Sequence, residues 1–113
     1  MRLDLILVAA LGLSLVGVSV RAGEASAPTF KEVKQIISQR CQSCHSNEPK
    51  QPGIYEAAHG IKYDTAEQIR AFAKGINATA VQGMSMPPGN ATDMTDGERK
   101  ILGAWFAAGA KTE

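Results

Sequence analysis

The run Cys41-Gln42-Ser43-Cys44-His45 constrains this chain more than any other segment. On helical backbone the two cysteines stand at i and i+3, so both sulfurs lie on one face. The histidine follows directly and can bring its imidazole beneath whatever the sulfurs hold. Two thiols and an imidazole in this order suit the covalent attachment of haem. Each thiol can form a thioether with one of the two vinyl groups on one porphyrin edge, and the imidazole can reach the iron. Other uses of the spacing fit less well. A redox dithiol usually comes with a thioredoxin-like βαβ pattern, and none is visible. A zinc site needs four good ligands, and His59 is the one further Cys or His in the chain. A disulfide between residues three apart would close a very small loop.

The compartment suggested by the first residues agrees with that chemistry. Met1 and Arg2 make a short positive start, offset by Asp4, and an apolar run extends from Leu5 to Val20. Small-residue cleavage candidates follow at Val20-Arg21-Ala22 and Ala25-Ser26-Ala27. The run of 16 residues is shorter than the ~20 that span a bilayer comfortably. Residues 1–27 therefore read as a secretory signal cleaved after Ala22 or Ala27, with an uncleaved anchor through residues 5–20 as the alternative. Either way residues 28–113 form the expected functional domain and lie outside the cytoplasm, in the periplasm, where bacteria attach c-type haem.

Cleavage leaves 91 or 86 residues, enough for one small domain. A core of that size is marginal unless something staples it. A covalently bound haem would supply a large apolar face and ties to the polypeptide, so the haem-free chain is expected to be loosely folded. Charge points to no particular partner. Residues 28–113 hold ten Lys and Arg against nine Asp and Glu, and this near-neutral mixture gives no electrostatic footprint for nucleic acid.

Local patterns predict helices joined by long loops. Thr29 and Glu32 fit a capping box, with Phe30, Val33, Ile36 and Ile37 at helical spacing behind it. That helix runs into the Cys-x-x-Cys-His segment. Residues 46–63 contain Pro49, Pro52, Gly53 and Gly60 and read as a loop. Asp64 or Thr65 caps a second helix of about ten to twelve residues, with Ile69, Phe72, Ala73 and Ile76 inward. Residues 78–94 read as loop. Thr95 and Glu98 form another capping box, opening a last helix with Ile101, Leu102, Trp105 and Phe106 on one side and an end near Gly109. No stretch alternates like a strand. The fold class expected is all-α, with about three main helices around one covalently bound haem.

A second axial ligand is needed to fill the iron, and methionine, a soft thioether donor, raises the reduction potential when paired with histidine. Met84, Met86 and Met94 lie downstream of the haem motif. Met86 precedes Pro87-Pro88-Gly89, whose prolines fix φ and stiffen the backbone. It is the expected ligand, and Met84 and Met94 are expected to fill the core. His59, 14 residues after His45, is the rival ligand, although its setting reads as a surface loop. Trp105 and Phe106 read as core, and Asn90 as a turn residue bonding local backbone.

These residues carry a resemblance. From Phe30 to Ala110 the chain resembles class I c-type cytochromes and, more narrowly, the cytochrome domain at the C-terminus of bacterial membrane-bound urate oxidases. The shared features are the Val33-to-Cys41 approach helix with Arg40-Cys41-x-x-Cys44-His45, then Gly60 and Asp64-Thr65-Ala66-Glu67-Gln68-Ile69. Met86-Pro87-x-x-Asn90-x-Thr92-x-Met94-Thr95-Asp96-x-Glu98-Arg99 and Ile101-Leu102-x-x-Trp105 complete the match. The resemblance implies a helical fold whose first and last helices cross beside the haem, His45 and Met86 as axial ligands, and single-electron transfer. Residues 1–113 do not include the multi-span membrane part of those oxidases, and residues 1–27 read as an export signal instead. A free carrier that kept the domain and changed its partner therefore fits as well as a link to urate.

The reading is then a periplasmic, monomeric, monohaem cytochrome c. It would hold one haem c through Cys41 and Cys44, with His45 as proximal and Met86 as distal iron ligand. It would pass single electrons between redox partner proteins, from a donor dehydrogenase or oxidase to a respiratory acceptor, and is not expected to be an enzyme. The alternatives are a dedicated haem subunit of an oxidoreductase complex, with purine or urate oxidation one case, and an open-site haem sensor or peroxidase.

Overall fold

The computed structural model describes residues 26–113, together with Gly12, Ser14 and Gly17. The export segment read at residues 1–27 thus lies almost wholly outside the described residues. Among the described residues the chain is all-α, with no strand, and no helix is long and apolar enough to cross a membrane.

Helix α1, Phe30–Arg40, starts as its capping box dictates. Glu32 N–H donates to Thr29 Oγ1 at 3.3 Å, and Thr29 N–H donates to Glu32 Oε2 at 2.7 Å. Both would otherwise be unpaired donors of a helix end. Its inner face buries Val33, Ile36 and Ile37, with Phe30 partly buried at the edge.

Helix α2, Ala66–Ala71, is capped by Thr65, with Gln68 completing the reciprocal pair. The expected continuous second helix is broken at Phe72, which leaves helical dihedrals (φ −101, ψ 11), and resumes as α3, Ala73–Ile76. Phe72 is not an inward residue: it is 41% exposed and meets Tyr63 edge-on, with ring centroids 6.2 Å apart. The inward stripe is already filled by Ile69, Ala73, Ile76 and Ala80, spaced four, three and four apart, which leaves Phe72 on the flank.

Residues 77–82, of which 78–82 read as loop, form a π-helical stretch, Asn77–Gln82, continuing from α3. Asn and Thr at positions 77 and 79 give the composition of a loop, yet Ala80 packs into the core and holds the segment there. The stretch ends at Gly83, whose N–H donates to Ala78 O at 2.9 Å. A side chain at Gly83 would place its Cβ 2.9 Å from that oxygen.

Helix α4, Asp96–Ala107, opens on the Thr95/Glu98 box and buries Arg99, Leu102 and Trp105, with Ile101 and Phe106 on its half-buried flanks. It closes in a Schellman turn. Ala110 N–H reaches Trp105 O at 2.9 Å and Gly109 N–H reaches Phe106 O at 3.0 Å, with Gly109 at φ +104.

α4 packs against both α1 and the π-helical stretch. Gly103 permits the second contact, because a Cβ there would come within 3.0 Å of Val81 Cγ1. Val33, Ile37, Ile69, Leu102 and Trp105 are the largest fully buried side chains, and each of the three helical bodies contributes at least one. Trp105 satisfies its indole N–H on Lys111 O at 2.8 Å.

Candidate functional site

The Cys-x-x-Cys-His segment follows directly on the last turn of α1. Cys41 caps the helix, with its N–H on Ile37 O at 2.9 Å, and its own carbonyl then accepts from Cys44 N–H at 3.2 Å and His45 N–H at 3.0 Å. The segment is therefore a hydrogen-bonded turn beyond α1 rather than part of the helix proper, and both cysteines are free thiols.

The loop of residues 46–63 wraps back and pins this turn. Lys50 and Gln51 N–H groups both reach Ser43 O at 2.9 Å, and Ala58 N–H reaches Cys44 O at 2.9 Å. Tyr63 N–H reaches His45 O at 2.9 Å, while Gln42 Nε2 donates to Tyr63 O at 2.8 Å. His45 Nδ1 stands 3.0 Å from Ile61 O. A carbonyl can only accept, so Nδ1 carries the proton and Nε2 presents its lone pair. This is the second-shell bond that orients a metal-binding imidazole. The Tyr63 ring flanks the His45 ring at 5.2 Å.

The segment that carries Met86 borders the same cleft as this turn. Cys41, Cys44, His45 and Met86 all line this cleft, with Ile76, Ala80 and Pro87 among its apolar wall residues. Its cavity volume is about 40 Å³, and about 480 Å³ of space lies between its walls once the open mouth is counted. Met86 is fixed through its backbone on both sides. Its N–H donates to Thr79 O at 3.1 Å, and its carbonyl accepts from Arg99 Nη1 at 2.8 Å. The same guanidinium donates to Ala80 O and, through Nη2, to Asn90 Oδ1 at 3.3 Å. Asn90 bonds local backbone as its turn position suggests: Met94 N–H donates to its Oδ1 at 3.0 Å, and its Nδ2 donates to Met94 O at 3.1 Å.

The other candidates separate. Met94 is 4% exposed and fills the core as expected. Met84 does not: it is 56% exposed at φ +51, because the chain leaves the core at Gly83 and returns only at Met86. His59 sits exposed in the short 3-10 turn Ala58–Gly60 and is not among the cleft residues.

Electrostatics favour a neutral Cys41 thiol. Burial pushes the Cys41 thiol up to about 12, with Cys44 and Glu98 adding to the rise and Arg99 opposing it. Reactive thiols and thiolate metal ligands need the opposite shift. Burial likewise raises Tyr63 to about 12, helped by Cys41. Among the described residues no three His, Cys, Asp or Glu side chains converge on a point that could hold a bare ion. Two thiols, an imidazole with Nε2 free and a thioether lining one apolar cleft fit a broad apolar group bearing its own metal.

Beside the cleft, Arg40 joins α1 to α4. Its Nε lies 3.0 Å from Glu98 Oε1, its Nη1 donates to Thr92 O, and Thr92 Oγ1 donates to Arg40 O at 2.8 Å. Burial works against the Glu98 carboxylate, but hydrogen bonds from Thr95 and Arg40 outweigh it and hold Glu98 below the usual carboxylate range.

Arg99 is a functional residue that the sequence marks only indirectly. It stands three residues before Leu102 and six before Trp105, on the apolar stripe of α4. A charge on a buried stripe needs dedicated partners.

No protein-family profile, curated protein or solved structure matches this chain.

Proposed function

We propose that residues 28–113 are a monohaem c-type cytochrome domain that carries single electrons between redox partner proteins. The observation that carries this reading is the meeting of Cys41, Cys44, His45 and Met86 on the walls of one apolar cleft. Haem, when bound, supplies an iron that accepts one electron from a donor and returns one to an acceptor.

The chain's own residues do the rest. Cys41 and Cys44 would each add S–H across a vinyl group, which loses no atoms and leaves two thioethers. His45 offers Nε2, held by the bond from its Nδ1 to Ile61 O. Met86 offers a soft sulfur from a backbone clamped by Thr79 O and Arg99. Ile76, Ala80 and Pro87 give the cleft an apolar lining. Clamped ligands move little when charge changes, which keeps reorganisation small and exchange fast. The same clamp favours a carrier over an open-site sensor or peroxidase, because the distal wall already holds a ligand side chain. A periplasmic location goes with the reading, since the haem must be attached there.

The test is expression with export and haem-maturation machinery, followed by oxidised and reduced spectra of wild type and Met86→Ala. The expected wild-type protein has haem that survives denaturing extraction, a low-spin spectrum and the weak red iron–methionine charge-transfer band. Met86→Ala should lose that band. A wild-type chain that matures without covalent haem would overturn the reading, and a high-spin wild type would overturn the assignment of Met86.

A further inference from the structure

We propose that Arg99 is a positioning residue for Met86: its guanidinium locks the loop that presents the distal sulfur, and so sets how firmly that sulfur competes for the iron. The inference rests on the haem reading above and goes beyond it by assigning a role to a residue outside the cleft lining.

Arg99 is 7% exposed, the most deeply buried charge in the described chain. Taking a guanidinium out of water is costly unless its donors are met. Its hydrogen bonds go to neutral acceptors: Ala80 O, Met86 O and Asn90 Oδ1. Those three atoms bracket one stretch of chain. Ala80 lies in the π-helical stretch before the Met86 loop, Met86 is the ligand itself, and Asn90 closes the turn behind it. A planar fork can hold three such points in fixed relation, which a single ammonium cannot. The π-helical stretch supplies the opposing contact, because Thr79 O accepts both Ser85 N–H at 2.8 Å and Met86 N–H at 3.1 Å. Met86 is thus gripped at its amide by one wall and at its carbonyl by Arg99. A purely space-filling role would not require each bond to fall on this loop or its two ends.

Removing the fork leaves buried carbonyls without donors and frees the Met86 carbonyl. The sulfur then spends more time away from the iron, and an outside ligand enters more readily. Imidazole, titrated into the ferric holoprotein and followed in the visible spectrum, measures this directly. Arg99→Gln should bind imidazole roughly tenfold more tightly than wild type, the change expected when a buried hydrogen-bond set is broken. Arg99→Lys, which keeps the charge and loses the fork, should fall between the two. Far-UV circular dichroism reports whether each variant keeps its helices. A folded Arg99→Gln whose affinity rises by less than about threefold overturns the proposal while leaving the haem reading intact. If Arg99→Gln does not fold, Arg99→Lys decides by the same threshold. A wild-type spectrum without the charge-transfer band, unchanged by Met86→Ala, would instead overturn the ligand assignment and this inference with it.

Discussion

The two walls of the cleft are held by different means. The Cys41–His45 wall, the local one, is a turn that continues directly from α1, closed by its own backbone and buttressed by main-chain bonds from the loop of residues 46–63. The Met86 wall, the remote one, is carried on a loop between α3 and α4. It is fixed by Thr79 O, by the Asn90 turn and by the Arg99 guanidinium reaching across from α4. A turn that continues a helix forms with the helix. A loop held by a distant guanidinium forms only once the whole domain has docked. The first wall should therefore tolerate disturbance elsewhere, and the second should register it.

The largest break expected is on the local wall. Cys41→Ala with Cys44→Ala should abolish covalent haem, leaving no haem stain on a denaturing gel, whereas Met86→Ala should keep the stain and lose only the charge-transfer band. Stain retained in the double variant would remove the attachment chemistry from this segment.

Next is the shared core. Leu102→Ala opens a cavity behind both walls and should cost about 2–5 kcal/mol in denaturant unfolding of the holoprotein. The Met86 band should be lost at a lower denaturant concentration than the helical signal, since the remote wall depends on docking. Coincident loss would show that the two walls unfold as one.

Gly83→Ala sharpens the comparison by disturbing the remote wall alone. The new Cβ would press on Ala78 O, and the expected cost is about 1–3 kcal/mol. Imidazole affinity should rise, with the His45 side unaffected.

The pH dependence of the Arg40–Glu98 bridge comes next. Glu98 is held below the ordinary carboxylate range in the folded state, so its contribution is complete above its unfolded pKa. It is lost as pH falls through the folded value. The gap in melting temperature between wild type and Glu98→Gln should thus close on acidification from about pH 6 towards pH 3. A gap that widens on acidification would mean the bridge is not its source. The smallest effect expected is Thr29→Ala, about 1 kcal/mol, since this cap is exposed and far from either wall.

What could be read from sequence follows the same division. The Thr29/Glu32 and Thr95/Glu98 boxes announced α1 and α4 because each is a bond between residues three apart. The Cys-x-x-Cys-His segment and the Met86-Pro87-Pro88 run were legible as short contiguous motifs, and both line the cleft. The Met94 core position and the local bonding of Asn90 were anticipated too. Phe72, the π-helical Asn77–Gln82 stretch and Met84 were misread because their states depend on tertiary contacts. Phe72 could turn outward because Ala73 and Ile76 already filled the stripe. The Asn77–Gln82 stretch stays helical because Ala80 is buried against the core. Arg99 shows the limit most plainly. Its place on an apolar stripe marked it as unusual, but which carbonyls it would meet depended on where a loop returned.

The bond from His45 Nδ1 ends on a main-chain oxygen, that of Ile61. A substitution at position 61 changes the side chain and leaves that oxygen in place, so the orientation of the imidazole is insulated from most point mutations. The same holds for Thr79 O on the opposite wall. Arg99 has no such protection, since its three bonds vanish with one codon change. Random mutagenesis screened for loss of the distal ligand should therefore return changes crowded at position 99 and at Met86 itself. Losses of imidazole orientation should come chiefly from replacing His45, or from insertions and deletions in residues 46–63.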